Sequence, residues 1–325
     1  MASQVKLADI ARLAGCSPAQ ASRAINGLDL VSPDTRAKVL AIAKELNYRN
    51  TASNHRPKIV ICRGNSFGSY EVTLLRELTK QLKRKKWSCL TVEESDWELI
   101  QDFFFDGAII IGTDDANIAQ HWKEHSQIPL VVINGYGSGS DMVSTIDPDR
   151  NNENTLVLSF LKELGHKRIA RIQKSGSNSN ARYRNRGENE FLSAAASLDM
   201  LFSVRNVVFE KNSELTNIIR ELLNEKFTAF FVVHQEMALR ASAALRELGV
   251  RCPEDVSLIT YEVDDVSEFL NPPHTTLDFN YEQLAQIAIQ ELSDLIKGIP
   301  KKFRVSFNVP NILRKRGTTG PFPGE

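Results

Sequence analysis

The side chains best suited to chemistry in this sequence are hydrogen-bonding groups, not a nucleophile beside its base. Ser17, Gln20, Ser22, Arg23 and Asn26 fall within ten residues of one another, and Ser32, Thr35 and Tyr48 follow. These types suit a polyanion with readable edges. Arginine is the commonest reader of guanine, while serine and asparagine suit phosphate oxygens. Catalytic patterns are missing: there is no Gly-rich phosphate loop, no Gly-x-Ser-x-Gly elbow and no cluster of metal ligands. Asp114 and Asp115 form the best carboxylate pair, and an exposed loop explains them equally well. Cys16, Cys62, Cys89 and Cys252 are scattered without paired spacing, which predicts reduced thiols and no zinc site.

Short helices must position the first group. Ser17 is a good N-cap, Pro18 suits the first helical position, and Gln20 stands where a capping box wants Glu or Gln. Upstream, 7–14 reads as a helix with Ile10, Ala11 and Ala14 on one face and Gly15 at the αL position that ends it. Only Gly15 and Cys16 separate the two, so the pattern is a helix-turn-helix whose second helix can enter a DNA major groove. At the start of that helix Pro18 and Ala19 can offer only apolar or shape contacts. A third helix follows, capped by Ser32 with Pro33 next, its apolar residues being Val39, Leu40, Ile42, Ala43 and Leu46. The three close a small core from Ile10, Ala14, Ala21, Ile25, Val39 and Ile42. A plain three-helix bundle is the competing reading, and charge argues against it. Residues 1–58 hold 9 Lys and Arg against 4 Asp and Glu, so this end is +5 in a chain of net charge 0.

The 325 residues suffice for two or three compact units, with 42% hydrophobic and 25% charged residues. No apolar run approaches a membrane span and the N-terminus does not read as a signal peptide, which predicts a cytoplasmic protein. Residues 50–57 are polar, lack any large apolar side chain and end in Pro57, as a linker does. Apolar runs then alternate with helical segments: 59–62, 89–92, 108–111, 130–133, 169–172, 204–209, 230–233 and 256–261. The clearest helix is 70–86, with Leu74, Leu75, Leu78 and Leu82 on one side and a Lys83-Arg84-Lys85-Lys86 end that suits the helix dipole. Such alternation predicts an α/β chain of doubly wound parallel sheets, with ligands at the carboxyl ends of the strands.

Four stretches of the first 48 residues, 7–17, 22–27, 31–36 and 46–48, closely resemble the headpiece of the lactose/galactose repressor family, without gaps in spacing. Further likeness runs along nearly the whole chain, through Leu164-Gly165-His166-Lys167-Arg168-Ile169, Glu236-Met237-Ala238-Leu239, Pro253-Glu254-Asp255-Val256-Ser257 and 272–277. The resemblance implies a helix-turn-helix headpiece at 1–49, a linker at 50–58 and a core at 59–325. That core would be two Rossmann-like parallel-sheet subdomains similar to periplasmic sugar-binding proteins, one of 59–149 and 281–307, the other of 150–280 and 308–325. It implies a dimeric repressor of carbohydrate-utilisation genes that binds operator DNA and answers to a small sugar or sugar derivative, with no cofactor. The C-terminal residues carry no heptads, in keeping with a dimer.

By the same resemblance Ser17, Pro18, Ala19, Gln20, Ser22, Arg23, Asn26, Ser32, Thr35 and Tyr48 face DNA. Asn134, Arg184, Phe209, His234, Gln235, Glu262 and Tyr281 fall at effector positions, Arg184 being the one the family places on sugar hydroxyls. Three arginines on a surface helix are the plainer reading of 181–187. The chain departs from the family where His234-Gln235 replaces Asn-Asp and where Glu262 replaces Asp, which leaves a polar pocket but not the family's usual sugar pose. It departs again in the linker. Relatives fold part of a longer linker into a hinge helix that wedges a leucine into the minor groove, and the nine residues 49–57 hold no Leu, Ile, Met or Phe. The expectation is an extended tether and an operator without a strong central kink. An α/β sugar-processing enzyme with an appended DNA-binding domain is the alternative. A sugar-transport binding protein would need export.

Overall fold

The computed structural model describes residues 5–46, 48, 56–64, 68–93, 95–96, 103–111, 128–134, 143–174, 181–207, 212–263, 266–299, 306–322 and 324; at 150, 151, 181–186 and 212 it describes the backbone. The tether expected at 49–55 lies outside the described residues.

Each local signal in the head has its structural counterpart. Helix α1 (Leu7–Ala14) ends on Gly15 at φ 69°, α2 (Pro18–Asn26) begins at Ser17 and ends on Gly27 at φ 67°, and α3 (Pro33–Glu45) begins at Ser32. Ile10, Ala11, Ala14, Ala21, Ala24, Ile25, Val39 and Ala43 are buried together, with Ile42 and Leu46 half-buried at their edge. Alanines at 11, 14, 21, 24 and 43 let three short helices approach closely enough to exclude water with few large side chains.

The chain divides into two compact units, each built on a six-stranded sheet, and the head belongs to the first. That unit comprises 1–147 and 282–307, the second 148–281 and 308–325. The first sheet holds β1 (Lys58–Arg63), β2 (Ser88–Glu93), β3 (Gly107–Ile111), β4 (Leu130–Ile133), β5 (Ser144–Pro148) and β11 (Ser306–Val309), in the order β11-β5-β4-β3-β1-β2. Helix α4 (Ser69–Arg84) carries the chain from β1 to β2 and packs Leu74, Leu78 and Leu82 inward. The central strands are buried on both faces, as the unbroken run Ile59-Val60-Ile61-Cys62 requires of a parallel sheet covered on each side.

The second unit repeats the plan: β6 (Arg168–Lys174), β7 (Leu201–Val207), β8 (Ala229–Val233), β9 (Ser257–Tyr261), β10 (Thr275–Asp278) and β12 (Ile312–Arg314) lie in the order β12-β10-β9-β8-β6-β7. Its strands pair in parallel except where β10 meets β12. Helix α5 (Arg150–Glu163) leads into β6, α6 (Ala181–Ser197), α7 (Asn212–Asn224) and α8 (Gln235–Glu247) connect β6 through β9 in turn, and α9 (Tyr281–Ile296) follows β10. The apolar core beside β8 includes Ile172, Leu222, Phe230, Val232, Met237 and Leu258.

Two expected strands shift. The run placed at 204–209 is a strand over Leu201–Val207, and that at 256–261 begins at Ser257. Four strands, β5, β10, β11 and β12, have no counterpart in the apolar runs. Ser144, Thr275 and Thr276 are fully buried, yet their hydroxyls find partners: Ser144 on Glu291, Thr275 on the Arg316 carbonyl, Thr276 on Glu262. A strand that satisfies its polar side chains internally need not be apolar.

Candidate nucleic-acid interface and small-molecule site

Helix α2 is set up as a reading element. Ser17 Oγ accepts from the Gln20 amide at 3.2 Å and Gln20 Oε1 accepts from the Ser17 amide at 2.9 Å. Pro18, Ala19 and Arg23 are exposed while Ala21, Ala24 and Ile25 are buried, so one face packs and the other is open. The cap uses Gln20 Oε1 as an acceptor and leaves its amide NH2 to donate beside Arg23, the long cationic donor of α2. Asn26 donates to the Ser22 carbonyl at 2.8 Å, and Ser32 donates to Thr35 Oγ1 at 2.8 Å.

Tyr48 does something else. Its ring lies 6.3 Å from that of Phe104, which packs on the head's own apolar cluster. Burial first, and the Asp106 charge second, push its phenol above the usual value. Lys58 Nζ donates to the carbonyl of Asn26 at 2.9 Å, joining the end of α2 to the start of β1. The head is therefore seated on the rest of the first unit.

The small-molecule positions fall at strand ends, where doubly wound sheets bind ligands. In the first unit Asn134 follows β4 at φ 61°, and its Oδ1 is buried without a partner among the described residues. In the second unit Gln235, Glu262 and Tyr281 come together: Gln235 Nε2 donates to the Glu262 carbonyl at 2.6 Å and to Tyr281 Oη at 3.1 Å. Glu262 Oε2 accepts from Arg316 at 2.9 Å and from the Thr276 hydroxyl, so its carboxylate is compensated within the unit. His234 directly follows β8, which lies beside β6, where the strand order reverses. Burial, helped by Lys174 and opposed by Glu236, lowers its pKa and keeps the ring neutral. For Arg184 only the backbone is described, within α6, and Phe209 lies outside the described residues.

Sequence reasoning missed a buried polar network. Arg171 in mid-β6 donates to Asn154 at 2.9 Å and Gln173 at 3.1 Å and lies 3.7 Å from Glu153, which accepts from Tyr261 Oη at 2.7 Å. Gln173 passes the chain to Glu188 at 3.0 Å and Asn206 at 3.1 Å. Ring contacts continue from Tyr261 through Phe279 to Tyr281. The signal was available: an arginine within an otherwise apolar strand demands a buried acid.

The sequence profile described as bacterial regulatory proteins, lacI family, matches residues 6–50, and a periplasmic binding protein-like domain matches residues 158–319. The HTH-type transcriptional repressor PurR of Haemophilus influenzae is 28% identical over 94% of this chain and 97% of its own length; PurR of Photorhabdus laumondii is 26% identical over 97% of each. Residues 6–50 thus match the lacI family, and nearly the whole chain is similar to PurR repressors. Among solved structures, the lac repressor dimer bound to operator and the anti-inducer ONPF superposes with a TM-score of 0.67 at 24% identity, covering 98% of this chain and 100% of that one. A CelR–cellobiose complex gives 0.67 at 24% over 97% and 100%, and an Enterococcus faecium family member with bound ribose gives 0.65 at 24% over 81% and 99%. These share the fold of both units. The matched segment 6–50 contains α1, α2 and α3, and the relatives are transcription regulators, not enzymes. Among the described residues no helix is long and apolar enough to cross a membrane.

On such a helix Arg23→Ala should cost about 1–3 kcal/mol of operator binding and relax base preference at one position. Asn26→Ala should weaken all duplexes alike. A binding selection in which the Arg23→Ala protein returned the wild-type consensus would remove Arg23 from the reading face.

Proposed function

We propose that the protein is a dimeric repressor that binds a pseudo-palindromic operator and exchanges operator affinity against a small sugar-like polyol, which it binds without converting. The observation that carries this reading is the capped, one-sided α2, whose open face holds Pro18, Ala19 and Arg23 at the basic end of the chain. Support for the ligand comes from neutral His234 and the Gln235–Tyr281 pair of the second unit, hydrogen-bonding groups at strand ends. A compensated Glu262 favours hydroxyls over a strongly cationic ligand. The lac repressor, CelR and ribose-bound structures are relatives whose fold accommodates operator or sugar.

Selection of bound sequences from a random duplex pool, followed by calorimetry against a panel of sugars and sugar phosphates, tests both halves. A two-fold-symmetric consensus and a saturable, turnover-free ligand are expected. An unstructured consensus would overturn the first half, and product formation the second. Arg184→Ala should abolish the ligand's effect on operator binding while leaving ligand-free operator affinity near wild type, because the position lies in the second unit and acts only through the equilibrium that ligand biases. A collapse in melting temperature of that variant would show instead that the arginine holds α6 in place.

A further inference from the structure

We propose that the first unit carries a second, sequence-independent DNA contact, a basic patch formed by Lys83, Arg84, Lys85 and Lys86 with Arg56, which grips backbone phosphates flanking the operator. This rests on the operator-binding reading above. Topology puts the patch at the head's end of the sheet. In a parallel sheet all strands start at one end, and α4 returns from the carboxyl end of β1 to start β2 there. Lys58 pairs with Ser88, and the Ser88 amide donates to the Pro57 carbonyl at 3.0 Å, so the basic turn leads straight into the residue against which the tether ends. The ligand residue Asn134 follows β4 at the opposite, carboxyl end.

The patch is not explained by its helix. The Lys86 amide donates to the Lys83 carbonyl at 2.9 Å and that of Trp87 to Leu82 at 3.0 Å, so backbone groups already close the helix end. A dipole favours cations only within the last turn, yet the charges continue through Lys85, the C-cap, and Lys86 beyond it. All four side chains are exposed. Among the described residues none of Lys83, Lys85 and Lys86 has an acidic partner; the nearby Glu77 is engaged by Lys80 and Gln81. Another exposed lysine, Lys297, sits at the same end of the sheet, just past the point where Ile296 of α9 closes over Gly107 at the start of β3. A tether of nine residues spans at most about 30 Å, so an operator held by the head stays close to this end. An array of exposed cations beside a duplex releases counterions and adds affinity without adding base preference.

The test is a Lys83→Gln/Lys85→Gln/Lys86→Gln variant of the full chain, titrated over a range of salt against an operator with long flanks and one trimmed to the operator. On the long duplex the slope of log affinity against log salt should flatten by roughly 0.9 for each phosphate the variant no longer neutralises, equally for operator and scrambled sequence. On the trimmed duplex it should match wild type, and a triple Lys→Arg variant should restore the slope. An unchanged slope on the long duplex, or an equal flattening on both, overturns the patch. A wild-type chain that fails to prefer operator over scrambled DNA overturns the operator reading itself, and the patch with it.

Discussion

Replacing Arg171 by Met should destabilise the second unit by about 3–5 kcal/mol, the largest single effect expected in this chain. The guanidinium residue is 2% exposed and Glu153 1%. Removing the cation takes the positive charge from beside Glu153 in a medium that solvates a carboxylate poorly, and takes a donor from Asn154 and Gln173 at once. The rings of Phe191 and Phe231, 5.8 and 5.5 Å from the guanidinium carbon, lose a cation over their faces as well. The paired change Arg171→Met/Glu153→Met should recover much of the stability, since an apolar pair of similar volume needs no desolvation. Urea unfolding of the wild type and the two variants measures this. A cost below about 1 kcal/mol for Arg171→Met would mean that water or a shifted side chain takes over the charge.

Acidification should cost the protein about 3 kcal/mol through His274 alone. Burial is the main cause, with Arg316 and Arg246 adding repulsion, and together they bring its pKa down to about 4. Its ring nitrogens face the hydroxyls of Ser242 at 2.6 Å and Thr260 at 3.4 Å, which can bond a neutral imidazole and do not compensate an imidazolium. The unfolded chain takes up the proton near pH 6.5, the folded chain only near 4. Stability is therefore complete above about 6.5 and falls with pH until about 4, by about 1.4 kcal/mol for each unit between the two values. His166 and His234, also lowered chiefly by burial, act in the same sense. A His274→Gln variant should show a shallower fall of melting temperature between neutral and acid pH. Parallel curves for variant and wild type would remove His274 from the acid response.

The head was legible in sequence down to its caps because each signal there is local: Ser17 with Gln20, Ser32 with Thr35, Gly15 at a left-handed turn. The two sheets were legible where strands are buried on both faces. What escaped depends on topology. Glu262 meets Arg316 across 54 positions, and Ser144 meets Glu291 across 147, so no spacing rule reveals that a hydroxyl or acid in a buried strand has a partner. For Arg171 the sequence showed a charge between Ala170 and Ile172, but its partners Glu153 and Asn154 precede the strand and are brought to it only by the fold. Of the ligand positions, Gln235, Glu262 and Tyr281 converge through hydrogen bonds, a convergence that the separate family positions did not imply.

The seating of the head through Phe104 and Lys58 bears on how interchangeable such heads are. Three phenylalanines in succession divide their work: Phe105 enters the core of the first unit, Phe103 stays exposed, and Phe104 completes the apolar cluster of the head. A head excised at the tether would bare Tyr48 and forfeit the Lys58 bond to the carbonyl of Asn26, the last residue of α2. Grafting this head onto a relative's core, or another head onto this one, thus transfers an incomplete object unless position 104 travels with it. The boundary of the DNA-binding module, drawn in space and not along the chain, runs through the segment that leads into β3.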